Sequence, residues 1–236
     1  DRLVEKISFP ELEYTWVHTI SQMDDDTWFA GTDYAGLFMI RRVNGMLTAT
    51  SVGDTLFMNM RIPSLIAGDD RSLMIATQEA GVMKVEFSPD FSEMETTAVY
   101  DIKSGLADNN IRTIFRDREE NLWIGLFNRG LAAVTTNAFS FHKPETKREI
   151  NFIGNSGSQI VMGTRTGLYD FSPETGSFTN YRNLTAKTGG SGIASWASDD
   201  RGTILIGTVG DGLWQMDLQG KVRQFYVDRN PAQNHI

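Results

Sequence analysis

One phrase returns five times along the 236 residues and constrains the fold more than any other feature. It reads Thr27-Trp28-Phe29-Ala30-Gly31-Thr32, Leu73-Met74-Ile75-Ala76-Thr77, Leu122-Trp123-Ile124-Gly125-Leu126, Ile160-Val161-Met162-Gly163-Thr164 and Ile204-Leu205-Ile206-Gly207-Thr208. A glycine followed by Leu or Val comes shortly after each, at Gly36, Gly81, Gly130, Gly167 and Gly212. The small anchors Gly31, Ala76, Gly125, Gly163 and Gly207 recur on average every ~44 residues, and a period of that size means one supersecondary unit per repeat.

Each unit reads as four short strands. The anchor run is about five residues of Trp, Ile, Phe and Val bounded by turn formers, the pattern of a buried strand. Polar clusters precede it, such as Asp24-Asp25-Asp26, Asp69-Asp70-Arg71, Asp117 to Asn121, Asn155-Ser156-Gly157 and Asp199 to Gly202. Before each cluster lies another apolar run, such as Ile193-Ala194-Ser195-Trp196. A third strand follows the Gly-Leu pair, and a turn such as Ser172-Pro173-Glu174-Thr175-Gly176 leads to a fourth. Four strands per unit is the propeller-blade pattern. The β-solenoid alternative has shorter coils. Residues 109–118 carry Ile111, Ile114 and Phe115 at helical spacing, yet the aligned repeats lack that spacing, so this stretch reads as strand. Glycine inside a strand persists where another backbone comes close. Trp28 and Trp123 are expected to fill the wedge between neighbouring blades.

The expected fold is all-β, a β-propeller of four-stranded antiparallel blades forming one region over 1–236. Blades are expected at about 12–50, 60–100, 109–142, 149–182 and 192–228. Residues 1–9 alternate like the outer strand of a preceding blade. Pro231 to Ile236 align with Leu106 to Ile111, so 229–236 read as the entry to a next blade. The five repeats are therefore expected to be a segment of a larger ring. The rival is a closed five-blade ring in which Leu3–Phe9 joins the last blade. It leaves one strand too many, because Val222 to Val227 already serves there.

Composition removes whole classes of function. Lys+Arg is 22 and Asp+Glu is 30, a net charge of −8, which argues against a broad nucleic-acid face or attachment to anionic lipid. The absence of cysteine excludes disulfides, thiolate nucleophiles and Cys-based metal sites. Three dispersed histidines, His18, His142 and His235, argue against a His-rich metal cluster, and His18 and His142 read as surface or edge residues. No apolar run reaches the ~18 residues of a membrane span. Asp1 to Glu5 show no signal segment, which does not bear on compartment. No metal or other cofactor is expected.

The motifs that hint at chemistry read better as architecture. Asp24-Asp25-Asp26 lacks the residue order of a calcium loop, and other repeats carry Asp at the same place. The Gly-Thr-x-x-x-Gly runs lack the lysine and following helix of a phosphate cradle, and they recur with the repeat. Gly154 to Ser158 resembles a nucleophile elbow but ends in Ser and falls at a repeat turn.

The third repeat is the most specific. It runs Gly105-Leu106-Ala107-Asp108-Asn109, Asp117 to Asn121, Leu122-Trp123-Ile124-Gly125, then Arg129-Gly130-Leu131. It resembles the two-component-regulator propeller repeat, and Ser172-Pro173-Glu174-Thr175-Gly176-Ser177-Phe178 matches the same repeat's end. Leu126, Ala76 and the missing Trp in the second repeat depart from it. The resemblance implies a non-catalytic, periplasmic input region of an inner-membrane receptor whose output is a histidine kinase, often hybrid, or a diguanylate cyclase. It implies an oligosaccharide or similar small ligand, neighbouring sensor domains or a homodimer mate as partners, and contact with membrane only through a parent's transmembrane segment. Alternatives are a protein–protein or dimerisation scaffold and a lyase of the streptogramin type, the last disfavoured by the scattered histidines.

Ligands are expected on the face of the second-to-third-strand and between-blade loops, where residues break the repeat. Asp33, Tyr34, Gln78, Glu79, Phe127, Asn128, Arg129, Arg165, Thr166 and Asp211 fall there, with Asn59, Asn109, Asn110 and Lys187 to Ser191 between blades. The binding set is Tyr34, Phe127, Asn128, Arg129, Arg165 and Asp211. It offers aromatic platforms, and two arginines for a carboxylate or sulfate.

Overall fold

A computed structural model describes residues 7–68, 70–135, 138–142, 149–156, 159–181, 192–198, 203–217 and 221–226. Five four-stranded antiparallel sheets account for its strands, each taken in sequence order from edge to edge. The chain divides into two compact units, Asp1–Ile111 and Arg112–Ile236.

The first unit holds two blades. Blade one is β1 (Val17–Asp24), β2 (Thr27–Thr32), β3 (Leu37–Val43) and β4 (Met46–Val52). A four-residue helix, α1 (Asp54–Phe57), leads to blade two, which is β5 (Ser64–Ala67), β6 (Ser72–Ala76), β7 (Val82–Phe87) and β8 (Met94–Tyr100). The second unit holds three. Blade three is β9 (Ile111–Arg116), β10 (Leu122–Leu126), β11 (Gly130–Thr135) and β12 (Ala138–His142). Blade four is β13 (Ile150–Ser156), β14 (Gln159–Thr164), β15 (Gly167–Ser172) and β16 (Ser177–Asn180). Blade five is β17 (Ile193–Ser198), β18 (Ile204–Thr208), β19 (Leu213–Met216) and β20 (Val222–Tyr226). The ambiguous 109–118 stretch is strand over Ile111–Arg116. Residues 1–6 and 229–236, the loop 187–191, Asp69 and the 199–202 turn lie outside the described residues. Ile7 to Phe9 is not strand, and Pro10–Leu12 is a 3-10 turn.

The anchors occupy one station, the second strand of every blade. The reason is steric. A Cβ on Gly31 would lie 2.6 Å from Ile62 Cγ2, 2.7 Å from Ile62 O and 2.7 Å from Thr19 Cγ2. On Gly125 it would meet Thr113 Cγ2 at 2.7 Å and Ile150 Cγ2 at 3.1 Å. On Gly163 it would sit inside the Phe152 ring. So the small residue makes room for the first strand of its own blade and, at Gly31 and Gly125, for the isoleucine that starts the next.

Those isoleucines organise the seams. Ile62, Ile111, Ile150 and Ile193 are 0–1% exposed. Within the first unit, Ile62 N–H donates to Thr32 O at 2.9 Å, stitching blade one to blade two, and Ile111 N–H donates to Thr77 O at 3.1 Å. Phe29 and Leu37 of blade one join Ile62, Leu65 and Ile75 of blade two in one core. Trp123 and Leu131 do the same for blade four, and Val161 and Leu168 for blade five. Burying such side chains contributes roughly 1.5–3 kcal/mol each.

The threonine after the anchor has its own task. Its hydroxyl donates to the carbonyl of the hairpin glycine: Thr32 to Gly36 at 2.7 Å, Thr77 to Gly81 at 2.9 Å, Thr164 to Gly167 at 3.0 Å, Thr208 to Gly212 at 2.7 Å. The Gly-Thr-x-x-x-Gly run is thus a hairpin clasp.

Trp28 differs from expectation. It stands one residue further from its anchor than Trp123 does, and side chains alternate faces along a strand. Phe29, not Trp28, fills the seam toward the next blade. Trp28 turns to the other face, against Phe38 and Ile40, with Arg42 5.3 Å over its ring.

Candidate functional site

Two charged clusters occupy equivalent stations, one in each unit. Each draws on the second residue of a first strand, the first residue of the second-to-third-strand loop, and the residue just before the next blade's leading isoleucine. In the first unit these are His18, Asp33 and Arg61. Arg61 Nε lies 2.9 Å from Asp33 Oδ1 and donates to His18 Nε2 at 3.1 Å. His18 Nε2 is also 3.3 Å from Asp33 Oδ1, and the side chains are 23–25% exposed.

In the second unit the same stations hold Arg112, Phe127 and Glu149. Glu149 Oε1 takes Arg112 Nε at 3.1 Å, and its carboxylate side chain is only 9% exposed. Arg112 stands 6.0 Å over the Phe127 ring. Arg165, in the loop of blade four, reaches Glu149 Oε2 at 3.8 Å with its side chain 78% exposed. Two guanidinium groups therefore face one carboxylate, leaving an excess positive charge beside an aromatic ring.

The expected binding residues are only partly gathered by this geometry. Phe127 and Arg165 meet through Arg112 and Glu149. Tyr34 belongs to the first unit, is 53% exposed and adopts a left-handed φ of 64°. It rims a cleft of about 330 Å³ with Gly36, Leu37, Phe57 and Asn59. Asn128 and Arg129 are exposed in the loop that follows Phe127, Asn128 with φ 63°. The Asp211 carbonyl accepts from Gln224 Nε2 at 3.0 Å. His18, Arg61, Arg112 and Glu149 were not among the expected binders. Their signal was present in the residue before each blade's leading position: Trp16, Arg61, Asn110, Glu149 and Gly192 fill one slot with unlike chemistry.

A larger cleft, about 650 Å³, opens at the turns on the opposite end of blades three and four. Asp117, Asn121, Asn155, Gln159 and Asp170 line it above Trp123 and Phe171. Asp117 is fully engaged there, accepting from Asn121 N–H at 2.8 Å, Asn121 Nδ2 at 3.0 Å and the Trp123 indole at 2.7 Å. Nearby, His142 packs 4.7 Å from the Phe171 ring, and burial pushes its pKa down. Among the described residues no three His, Asp or Glu side chains gather as a metal site.

Residues 105–128 match the family profile described as two component regulator propeller. No curated protein sequence matches the chain. Among solved structures, the extracellular domain assigned to the hybrid two component system BT4673 of B. thetaiotaomicron superposes with a TM-score of 0.69 at 18% identity, over 94% of this chain and 29% of that one. The corresponding domain of BT3049 from the same organism gives 0.69 at 18%, over 93% and 29%. YCF48 from Cyanidioschyzon merolae gives 0.63 at 18%, over 93% and 74%. The chain thus spans 29% of the length of the first two. The match at 105–128 covers the stretch from the approach to blade three through β10 into its loop, the segment that sets the Asp117–Trp123 turn. Residues 105–128 are thus similar to the two component regulator propeller repeat, and the fold of five four-stranded sheets is shared with these propeller structures.

Proposed function

We propose that this region is a non-catalytic, extracytoplasmic ligand-sensing propeller of a bacterial two-component receptor anchored in the inner membrane. The observation that carries the reading is the regulator-propeller repeat at 105–128. Support comes from the fold shared with extracellular domains assigned to hybrid two component systems. The non-catalytic part is supported by how the β1 histidine is used: His18 accepts from Arg61, and Arg61 also matches Asp33.

The ligand class follows from the second cluster. Arg165 offers a largely exposed guanidinium beside Phe127, while Arg112 is held against Glu149. A planar cation next to an aromatic face suits a sugar ring bearing a carboxylate or sulfate. The test is thermal shift and calorimetry of the chain with neutral, uronate-bearing and sulfated oligosaccharides. Acidic sugars are expected to stabilise the protein, and Arg165→Ala to remove the effect without changing the unliganded melting temperature. A folded sample stabilised by no saccharide, but binding a protein partner, would favour the scaffold reading instead. Location is checked by protease accessibility of the region in spheroplasts of cells making the full-length receptor.

A further inference from the structure

The second-to-third-strand loops share a backbone requirement that blade one meets with an unsuited residue. In blades one, three and five the second residue of this loop is left-handed: Tyr34 at φ 64°, Asn128 at φ 63° and Gly210 at φ 97°. An L-residue there brings its Cβ against the following carbonyl oxygen, and only Gly and short polar residues such as Asn adopt it routinely. Blades three and five carry those residues, and blade one carries a tyrosine. Packing does not offset the strain. Tyr34 is 53% exposed, and its side chain has no ring or hydrogen-bond partner among the described residues. A bulky residue held in a sparsely populated conformation without such a return points to a function.

The strained residue stands at the cleft of about 330 Å³ in the first unit. That volume lies at the lower end of the ~300–1,000 Å³ usual for small-ligand sites. Leu37 and Phe57 line it as buried apolar side chains, and Met58, 61% exposed, lines it with Asn59. Asn59 is itself left-handed, at φ 60°, and its side-chain amide makes no hydrogen bond to another described residue. Among the described residues that line the cleft, none is Asp, Glu, Lys, Arg or His.

We propose that this cleft binds one uncharged pyranose ring of a saccharide, with Tyr34 as the platform and Asn59 as the hydrogen-bonding partner. The ligand is uncharged because a charged group would give up its hydration with no counter-charge to meet. It has an apolar face to lie against the Tyr34 ring and Met58. It also has groups that both donate and accept, since the Tyr34 hydroxyl and the Asn59 amide do both. A pyranose joins a C–H face to a rim of hydroxyls, whereas a wholly apolar ligand would leave those two polar groups unmatched. The site is separate from the Arg165 cluster of the second unit, which suits acidic sugars. The choice of a saccharide rests on the sensing reading; the choice of place rests on the backbone at Tyr34.

The test is calorimetric titration of the whole chain with cellotriose, maltotriose, xylotriose and mannotriose, with the Asn59 side-chain amide followed by NMR. At least one of these is expected to bind and to shift that amide. Tyr34→Asn, which puts the blade-three residue at the same station, should raise the melting temperature by about 2–4 °C through relief of strain. The same change should weaken the saccharide by at least about tenfold. Tyr34→Phe keeps the ring and should bind more tightly than Tyr34→Asn. Asn59→Gly keeps the left-handed backbone and should also weaken binding. A lower melting temperature in Tyr34→Asn would make the ring a structural element and overturn the proposal. So would saccharide binding indifferent to both sites, or no binding of any of these trisaccharides to a folded sample. If acidic sugars still act through Arg165 in that last case, this cleft alone fails. If neutral trisaccharides bind here while acidic sugars bind nowhere, the Arg165 site alone fails.

Discussion

The Trp123 indole N–H donates to Asp117 Oδ2 at 2.7 Å, and this bond ties the first turn of blade three to the seam that blade three makes with blade four. The same carboxylate accepts from Glu119 N–H at 3.0 Å and Asn121 N–H at 2.8 Å. The most specific part of the repeat is thus a single acceptor serving several donors.

Asp117→Ala leaves those donors without their acceptor, and Trp123 is 4% exposed, so water cannot easily replace it. The change is expected to lower unfolding free energy by about 2–3 kcal/mol. Urea denaturation followed by Trp fluorescence measures it. Asp117→Asn, which keeps one acceptor oxygen, should cost clearly less. Equal losses for the two variants would mean the network contributes little.

Gly31→Ala places a methyl group 2.7 Å from the Ile62 carbonyl oxygen, a backbone atom that cannot move aside alone. A loss of about 1–3 kcal/mol is expected from overpacking. Ala76 holds the same station in blade two, where a Cβ is already accommodated. Ala76→Gly should therefore cost only about 0.5–1 kcal/mol, through chain entropy. Guanidinium melts of both variants rank the two seams, and the reverse ranking would contradict the steric account of the anchors.

Thr208→Val removes the hydroxyl that donates to Gly212 O at 2.7 Å but keeps the shape of a fully buried side chain. Gly212 O still accepts from the Thr208 backbone N–H at 3.1 Å, so losing the second bond should cost about 0.5–1.5 kcal/mol. Amide hydrogen exchange should rise first at the β18–β19 hairpin. Unchanged exchange there would show that the clasp is dispensable, as it already is in blade three, where Leu126 replaces the threonine.

His142 is held below its ordinary pKa of 6.5 by burial against the Phe171 ring. Because its folded pKa lies below the unfolded one, the unfolded state binds the proton more readily. Stability from this site is complete above 6.5 and declines as pH falls below it. Melting temperatures between pH 7.5 and 5 should drop, and His142→Phe should flatten that part of the curve. An identical slope in the variant would assign the pH dependence elsewhere.

Asp90 is lowered to about 2 by hydrogen bonds from the Ser88 and Ser92 hydroxyls, at 2.7 and 2.8 Å, and from Ser92 N–H. Its contribution is present above 3.8 and is lost as pH falls through about 2. Carboxyl NMR titration should show this, and Ser88→Ala should move the midpoint back up.

The architecture was largely legible in the residues because a repeat is a local signal. Gly31, Ala76, Gly125, Gly163 and Gly207 announce one strand station wherever they occur, and turn chemistry marks the strand ends. The strand over Ile111–Arg116 followed from the same alignment, against its helical spacing. Trp28 was misjudged because one residue of offset reverses the face, and only paired strands reveal the offset. The candidate site was less legible. Phe127 and Arg165 stand out as loop residues, but Glu149 and Arg61 sit in a slot whose meaning depends on which blade lies next to it.

What the order of residues determined alone is the module: four strands, a small anchor, a threonine clasp and an Asp–Trp turn, each set by neighbours within one repeat. What tertiary structure decided is everything that needs two modules at once. That includes why the anchor must be small, which is Ile62 and Ile150 arriving from the following blade. It also includes the pairing of Arg112 with Glu149 across a seam. Burial and charge pairing depend on distances between segments far apart in sequence, and only the packed chain sets those distances.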